Sequence, residues 1–248
     1  MRSFSRLPDR VTNFAVAAFL AGCGVPERIP LPAPVPLTQG GTVVPAHGAG
    51  LGIDFGDGFL GQELLRTEIL SVGLIGGLGD RVGVALYSFN ETRQNDQGGT
   101  FIRMKVRAGP LLGPKSSVAA AFAYSTSSRV SGSLQDERVT TLDLAIPAEW
   151  LLAASADGWH ELSAYLGPRI MFENYDDRLT PGESLEATHA GGLAGFHGRA
   201  GRFHLFGELN FLHFPGRIVR AQSYHSGWMV IPSVGIALHF GPSHRWGK

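Results

Sequence analysis

Alternation of apolar and polar residues is the feature of this chain that most limits what it can fold into. From position 203 to 211, the odd positions carry Phe, Leu, Gly, Leu and Phe, and the even positions include His204, Glu208 and Asn210. Successive side chains of a β-strand point to opposite faces, so such a segment has one apolar and one largely polar face. The same period recurs in residues 101–109, 161–172 and 228–240. The pattern predicts an all-β fold.

The segments with this pattern are long for strands of a water-soluble protein. Most have about 9 to 14 residues, whereas soluble strands typically have about 5 to 6 and a tilted membrane-crossing strand needs about 9 to 11. Pro147, Pro168 and Pro232 lie inside three of them and predict bulges, because proline has no N–H to donate; residues 147–155 also fit a short helix. We predict ten strands, at 42–55, 66–76, 81–90, 100–109, 116–125, 138–151, 160–173, 187–197, 202–214 and 227–240.

The segments that join these strands are predicted to alternate between short and long. Tight, glycine-rich turns are expected at 76–80 and 198–201, and a nearly as short one at 155–159. Membrane β-barrels of bacterial outer membranes have this asymmetry, with short periplasmic turns and longer outer loops. The longer polar loops are predicted at 56–65, 91–99, 126–137, 174–186 and 215–226.

Closure of the sheet is expected if the apolar faces contact lipid, because a strand in hydrocarbon must satisfy its backbone hydrogen bonds within the sheet. A soluble β-sandwich or lipocalin-like module would show the same alternation with the apolar face inward. Strand length, loop asymmetry and aromatic residues near strand ends favour an antiparallel up-and-down transmembrane β-barrel of about ten strands. These aromatic residues are Phe89, Phe101, Trp150, Phe172, Phe214, Trp228 and Phe240.

The first 22 residues have the layout of a secretory signal peptide. Three arginines precede a short apolar run at 11–20, which is too short to cross a bilayer as a helix. The Leu-Ala-Gly-Cys string at 20–23 then resembles the lipobox of bacterial lipoproteins. That resemblance implies cleavage before Cys23 and lipidation of Cys23. With Gly24 rather than Asp next, it also implies sorting to the outer membrane.

The chain beyond Cys23 is predicted to have three parts. Residues 23–41 are rich in proline and are expected to form an extended tether. Residues 42–240 resemble small bacterial outer-membrane β-barrels, and the closing string MVIPSVGIALHF at 229–240 is similar to their C-terminal assembly signal, which ends in an aromatic residue. The chain departs from that signal in having an extension at 241–248. The resemblance implies an outer-membrane location with both termini in the periplasm.

The polar faces carry charges of both signs, which are expected to line the interior of the barrel. Inside a narrow barrel such charges more often pair with and neutralise one another than line a conducting path for ions. A structural ion network is therefore favoured over an anion-selective pore. The predicted inward-facing charged residues are Arg103, Lys105, Arg107, Asp143, Glu149, Glu161, Arg169 and Glu208.

The sequence carries no strong catalytic or metal-binding pattern. HExxH, GxSxG and GxxxxGK[ST] motifs do not occur, and a single Cys excludes a multi-thiolate zinc site, so no catalytic residue, metal or cofactor is predicted. Twenty-one basic residues balance 21 acidic ones, which argues against nucleic-acid binding.

We therefore expect a non-enzymatic outer-membrane lipoprotein. It would act as a narrow porin-like channel or as a structural or assembly component, with outer-membrane lipid and other envelope proteins as partners. The alternatives are a barrel enzyme that modifies envelope lipids, for which Ser223, His225 and Ser226 are candidates, and a soluble lipid-tethered binding module.

Overall fold

The structure, a computed structural model, describes residues 47–60, 67–79, 81–91, 97–108, 111–131, 135–177, 184–214, 217–219, 222–224 and 227–241. The predicted signal peptide, the predicted tether and most of the C-terminal extension lie outside these residues. Among the described residues no helix is long and apolar enough to cross a membrane. The strands are β1 (Ala49–Leu60), β2 (Thr67–Gly79), β3 (Val82–Glu91), β4 (Gln97–Ala108), β5 (Ser116–Ser131), β6 (Gln135–Ala145), β7 (Ala148–Ala154), β8 (His160–Asp177), β9 (Ser184–Ala200), β10 (Phe203–Phe214), β11 (Arg217–Val219), β12 (Gln222–Tyr224) and β13 (Gly227–Phe240).

The main sheet closes on itself. All pairings in the main sheet are antiparallel, and β13 pairs with both β10 and β1. The strands β6 and β7 do not pair with each other; both lie between β5 and β8 and together fill one strand position of the barrel wall, here called a stave. Pairing of β4 with β5 completes the ring, so ten staves form a barrel without a free edge. The predicted fold class, an antiparallel ten-strand barrel, is confirmed.

The barrel has its apolar surface outside. Among the side chains that the structure describes, 31 large hydrophobic ones are exposed, including Ile53 at 54%, Leu74 at 62% and Val234 at 54%. Glu149 and Asn210 lie on the inner faces of their strands and are fully buried, with 0% of the residue surface exposed. A water-soluble fold buries its large apolar residues and exposes its charges, so this distribution is inverted.

Not every large apolar residue lies on the outer face. Phe89 and Phe101, predicted to belong to an outer aromatic girdle, are buried inside the barrel against Tyr87, and that prediction is wrong for these two residues. They face inward because they share the alternation phase of Arg103 on β4 and of Ala85 on β3. The barrel interior needs large side chains to fill it, and aromatic rings supply them.

Two of the predicted long loops are mostly strand. β5 runs to Ser131 and β6 starts at Gln135, so the loop predicted at 126–137 is wrong. β8 runs to Asp177 and β9 starts at Ser184, so the loop predicted at 174–186 is also wrong. Polar residues resembled loop sequence there, but residues such as Ser127 and Ser128 pair in register with Val139 and Arg138 on β6. Among the described residues β1 begins at Ala49, and the predicted strand residues 42–46 lie outside that part of the chain. A hairpin of β11 and β12 occupies the join at 215–226.

The break between β6 and β7 coincides with two prolines. Ala119 N donates to Pro147 O and Ile146 N donates to Pro168 O, both at 3.0 Å, so the carbonyls of both prolines remain paired while their nitrogens cannot donate. Gly167 lies at this point, where an added Cβ would overlap the Ile146 carbonyl oxygen. Residues 148–154 therefore form a strand rather than a helix, with a register shift between Leu151 and Ala153.

The turn between β7 and β8 is built from local hydrogen bonds. Asp157 Oδ1 accepts from Ser155 Oγ and from Trp159 N, and Ser155 Oγ accepts from His160 N at 2.9 Å. Gly158 adopts a φ of 70°, which favours glycine. The Ser155 hydroxyl and then the Trp159 N–H hold the pKa of the exposed Asp157 carboxyl below its usual value.

Gly191→Ala is expected to destabilise the barrel by about 1–3 kcal/mol, because a Cβ there would overlap the backbone carbonyl of Phe211, which has no freedom to rotate away. Gly198→Ala, in the same strand, is the matched control, since no atom lies within 4 Å of its added Cβ. Urea unfolding from lipid vesicles measures both. Equal effects of the two substitutions would contradict the close strand approach at Gly191.

Candidate functional site in the barrel interior

The structure places every predicted inward-facing charge on the inner side of the barrel wall. Six of the side chains are buried and two, Arg107 and Glu161, are partly buried near the rim that carries the turns after β2, β4, β7 and β9, here called the short-turn rim. The opposite end is the long-loop rim. The six buried residues are Arg103, Lys105, Asp143, Glu149, Arg169 and Glu208.

A network centred on Arg169 occupies the middle of the barrel. The Arg169 guanidinium binds Asp143 with two hydrogen bonds, Nε to Oδ1 at 2.9 Å and Nη2 to Oδ2 at 2.6 Å. Its Nη1 donates to Asn210 Oδ1 at 2.6 Å and lies 3.4 Å from Glu208 Oε1, while Tyr165 Oη donates to Glu208 Oε2 at 3.0 Å. Forked, charge-assisted bonds of this kind fix orientation as well as adding energy. The network therefore ties β6, β8 and β10 together across the interior.

Small residues beside Arg169 make room for its long side chain. In the sheet register, Arg169 lies between Ala145 on β6 and Gly191 on β9. Tyr165 similarly faces Gly195, where an added Cβ would come within 2.5 Å of the tyrosine ring. The glycines of β9 therefore let arginine and tyrosine lie across the barrel interior.

A second cluster lies between this network and the short-turn rim. Glu149 Oε1 accepts a hydrogen bond from Ser163 Oγ and lies 3.4 Å from His197 Nδ1. His197 Nε2 is 2.9 Å from His204 Nδ1, and the rings of His204 and His239 are 3.8 Å apart between centroids. Of this group, the alternation in the sequence already placed Glu149 and His204 on polar, inward faces, and it missed His197. His197 lies two positions before the polar Arg199 on β9, so the two side chains share one face of the strand. That spacing was the signal that could have placed His197 inside the barrel.

The order of groups in this cluster does not suit nucleophilic catalysis. A catalytic serine needs a histidine within hydrogen-bond reach to take its proton, with the carboxylate behind the histidine. Here the carboxylate of Glu149 lies between Ser163 and His197, so the serine hydroxyl donates to the carboxylate and not to the histidine. The cluster is suited to holding strands together.

At the short-turn rim, Arg199 links the wall to a turn. Its Nη2 lies 2.7 Å from Glu161 Oε1 and donates to the Gly158 carbonyl at 2.6 Å. Glu161 and Arg199 are direct neighbours in the register of β8 and β9. This ion pair closes the interior beside the turn between β7 and β8.

Toward the long-loop rim, apolar side chains cover the polar network. Met171, Leu212, Met229 and Ile231 form a buried cluster contributed by β8, β10 and β13. Met171 and Leu212 are at 0% exposure, so they exclude solvent from the layer above Arg169. A water-filled channel would leave its lining side chains accessible, and the burial of this layer indicates a filled interior.

The charges inside nearly cancel. Among the described inward positions there are five Lys or Arg and six Asp or Glu residues, so with neutral histidines the interior has a net charge of about −1. The described residues include no group of three or more His, Cys, Asp or Glu side chains arranged to hold a metal ion. The cations are Arg103, Lys105, Arg107, Arg169 and Arg199, and the carboxylates are Asp54, Asp143, Glu149, Glu161, Glu173 and Glu208.

The catalytic alternative named Ser223, His225 and Ser226. His225 and Ser226 lie outside the described residues, and only the backbone of Ser223 is described, so that hypothesis stays open. Within the described interior, the arrangement supports packing and ion pairing.

No protein-family model and no curated protein matches the chain. Solved structures similar to it include the translocator domain of the autotransporter NalP from Neisseria meningitidis, with a TM-score of 0.45 and 13% identity over 78% of this chain and 88% of that one. Others are Ail of Yersinia pestis (0.33, 10%, 78% and 97%) and the outer membrane protease OmpT of Escherichia coli (0.37, 8%, 78% and 96%). At these identities and TM-scores no property of these proteins is carried over to this chain.

Proposed function

We propose that this chain is an outer-membrane β-barrel lipoprotein whose closed interior serves structure or assembly rather than conduction or catalysis. The observation that carries the proposal is the inverted distribution of side chains. Apolar residues such as Ile53 and Leu74 cover the outside while charged residues such as Arg169 and Glu208 are buried inside. Such an outer surface is favourable only when acyl chains surround it, because apolar area exposed to water costs free energy.

The height of the apolar surface suits a bilayer. On β10 the exposed apolar positions run from Phe203 to Phe211, and eight residue steps of about 3.3 Å in a strand tilted by about 40° give a height of about 20 Å. Outer-membrane barrels have an apolar band of about 25 Å. The belt on this strand therefore covers most of such a band.

Both ends of the barrel chain lie at one rim, which suits a lipid anchor near the N-terminus. Ala49 at the start of β1 pairs directly with Phe240 at the end of β13, both at the short-turn rim. A tether from a lipidated Cys23 in the inner leaflet of the outer membrane would reach this rim from the periplasm. Both termini would then be periplasmic, with the long loops outside the cell.

The filled interior favours a scaffold over a channel. Three layers follow one another along the barrel axis: the histidine cluster, the Arg169 network and the apolar layer around Met171. Opening a water-filled path would require buried ion pairs to separate. A buried charge without its partner has a high free-energy cost. Outer-membrane lipid, and envelope proteins at the rims, are the partners that this role implies.

The test combines gel mobility with conductance. The folded barrel should migrate faster without boiling than after boiling, and it should resist extraction by carbonate or urea. In planar bilayers it should give no steady single-channel current. Mobility that does not depend on heating would contradict the membrane barrel, and reproducible open-channel steps would contradict the closed interior.

Cys23→Ser is expected to abolish incorporation of radiolabelled palmitate, because Cys23 is the only cysteine in the chain and its sulfur is the atom that would carry the lipid. The signal segment should also stay attached, which raises the apparent mass on a denaturing gel. Ser5→Ala in the charged segment serves as the matched control and should be labelled normally. Persistent labelling of the Cys23→Ser protein would contradict the anchor.

A further inference from the structure

The histidine cluster near the short-turn rim joins three strands that are neighbours in the barrel wall. His197 lies on β9, His204 on β10 and His239 on β13. His197 and His204 are only 4% and 6% exposed, and the Nε2 atom of His239 is buried without a hydrogen-bond partner among the described residues. The scaffold role proposed above uses these rings to fill space and does not use their ability to take up protons.

The contact between His197 and His204 can exist only while at least one of the two rings is neutral. The ring planes lie within 6° of each other with centroids 5.1 Å apart, and His197 Nε2 is 2.9 Å from His204 Nδ1. The rings therefore meet edge to edge through a hydrogen bond between two nitrogens. Such a bond needs an N–H on one ring and a lone pair on the other, and an imidazolium has no nitrogen lone pair to offer.

Carboxylate and cation stand on opposite sides of this pair. Glu149 Oε1 lies 3.4 Å from His197 Nδ1, whereas Arg199 is the direct neighbour of His204 in the register of β9 and β10. The Arg199 guanidinium also repels a positive charge on His239. A proton added to His204 or His239 would therefore be placed beside a cation. The charged groups on the inner faces of the surrounding strands are Asp54 on β1, Lys105 and Arg107 on β4, Glu149 on β7, Glu161 on β8, Arg199 on β9 and Glu208 on β10.

Close packing leaves the three rings little room to move apart within the folded barrel. The Phe206 ring stacks on His197 with centroids 4.7 Å apart, and the His239 ring lies 3.8 Å from that of His204. On its other side, His239 lies against β1 at Gly50, where an added Cβ would come within 2.8 Å of the imidazole Cδ2. A second positive charge in the cluster can therefore be relieved only if the strand ends separate.

We propose that His197, His204 and His239 form an acid-sensitive latch, which holds β9, β10 and β13 together at the short-turn rim while His204 and His239 are neutral and releases these strand ends when either takes up a proton from water. The stabilisation is complete above about pH 6.5, where histidines in the released state are neutral too. It is lost progressively as the pH falls below that value, because the released rings then bind protons that the closed latch excludes.

Urea unfolding of the full chain in lipid vesicles at pH 7.5 and at pH 5.0 tests the latch. On acidification, the unfolding equilibrium constant should rise by about 30-fold for each histidine that is neutral in the closed latch and titrates normally when released. His239→Phe keeps a stacked ring, and His204→Asn keeps a hydrogen-bonding group at the place of Nδ1, so each should remove about one such factor. His160→Gln, an exposed histidine at the same rim, should leave the acid response unchanged.

Amide hydrogen exchange, corrected for the intrinsic effect of pH on the exchange rate, locates the change. At pH 5.0 the strand ends at 197–206 and 237–240 should exchange at least about 10-fold faster than at pH 7.5, because they open locally. Residues 209–214, at the other end of β10, should keep their protection. In His239→Phe the acid-induced increase at 197–206 should be smaller than in the wild type.

The outcomes separate the latch from the membrane barrel. Each variant is first checked at pH 7.5 for heat-dependent gel mobility, which reports that the barrel has formed. An acid response of the wild type that His239→Phe and His204→Asn both retain in full overturns the latch, and so does loosening that is uniform along β10. If His204→Asn does not form the barrel, the exchange data of the wild type and of His239→Phe decide. Heat-independent mobility of the wild type would instead overturn the membrane barrel itself.

Discussion

Arg169→Met should lower the free energy of unfolding by about 3–5 kcal/mol, measured by urea titration of the barrel in lipid vesicles. Removing the guanidinium leaves Asp143 and Glu208 buried as carboxylates without their shared cation, and an unpaired buried charge costs that much. Methionine keeps most of the side-chain volume. The loss therefore reports charge and hydrogen bonding rather than a cavity.

Two further variants identify the cause. Arg169→Met combined with Asp143→Asn and Glu208→Gln should recover part of the loss, because the charges that lacked a partner are gone. Arg202→Met, at an exposed position of the short-turn rim, should change the stability by less than about 0.5 kcal/mol. If Arg169→Met is as mild as Arg202→Met, the interior network does not hold the staves together.

Ile53→Arg should destabilise the barrel by about 2–4 kcal/mol in lipid vesicles, because it places a charge on the lipid face near the middle of the wall. Ile53 is 54% exposed and pairs with Val72 and Ile236, whose side chains are also exposed. In a water-soluble protein the same change at an exposed position would be nearly neutral. The sign and size of the effect therefore depend on what surrounds the barrel.

Thr100→Arg is the matched control for Ile53→Arg. Thr100 is also exposed on the outer wall, but it lies in a polar row near the long-loop rim, beside Ser88 and Thr126. Arginine at interfacial depth costs only about 0–1 kcal/mol. Equal tolerance of the two arginines would contradict a lipid-facing belt.

Period-two alternation was sufficient to predict the staves of the barrel. It works because successive side chains of a strand point alternately to the outside and to the interior of the barrel, so apolar residues such as Leu205 alternate with polar residues such as Glu208. It failed where both faces are polar, as in the extended ends of β5 and β8, since strands beyond the apolar belt lose the contrast between faces. Phe89 and Phe101 were assigned to the outside from their position near strand ends, although the alternation phase of their strands places them inside.

The inward charges were predictable one by one, but their partners were not. Asp143 binds Arg169, and Glu149 contacts Ser163 and His197. Such pairs depend on strand register and on side-chain reach across the interior. Arg169 and Glu208 lie 39 positions apart in the chain, and no local pattern encodes their approach.

The most direct measurement of the lipid-facing surface is a nitroxide scan of residues 203–214, one site at a time, in a Cys23→Ser background in lipid vesicles. Collision with dissolved oxygen, which partitions into hydrocarbon, and with a water-soluble nickel complex is read by power saturation. Labels at 203, 205, 209 and 211 should collide with oxygen and not with nickel, while those at 204, 206, 208 and 210 should be shielded from both. Nickel collisions at the odd positions would mean that water, not lipid, surrounds the wall.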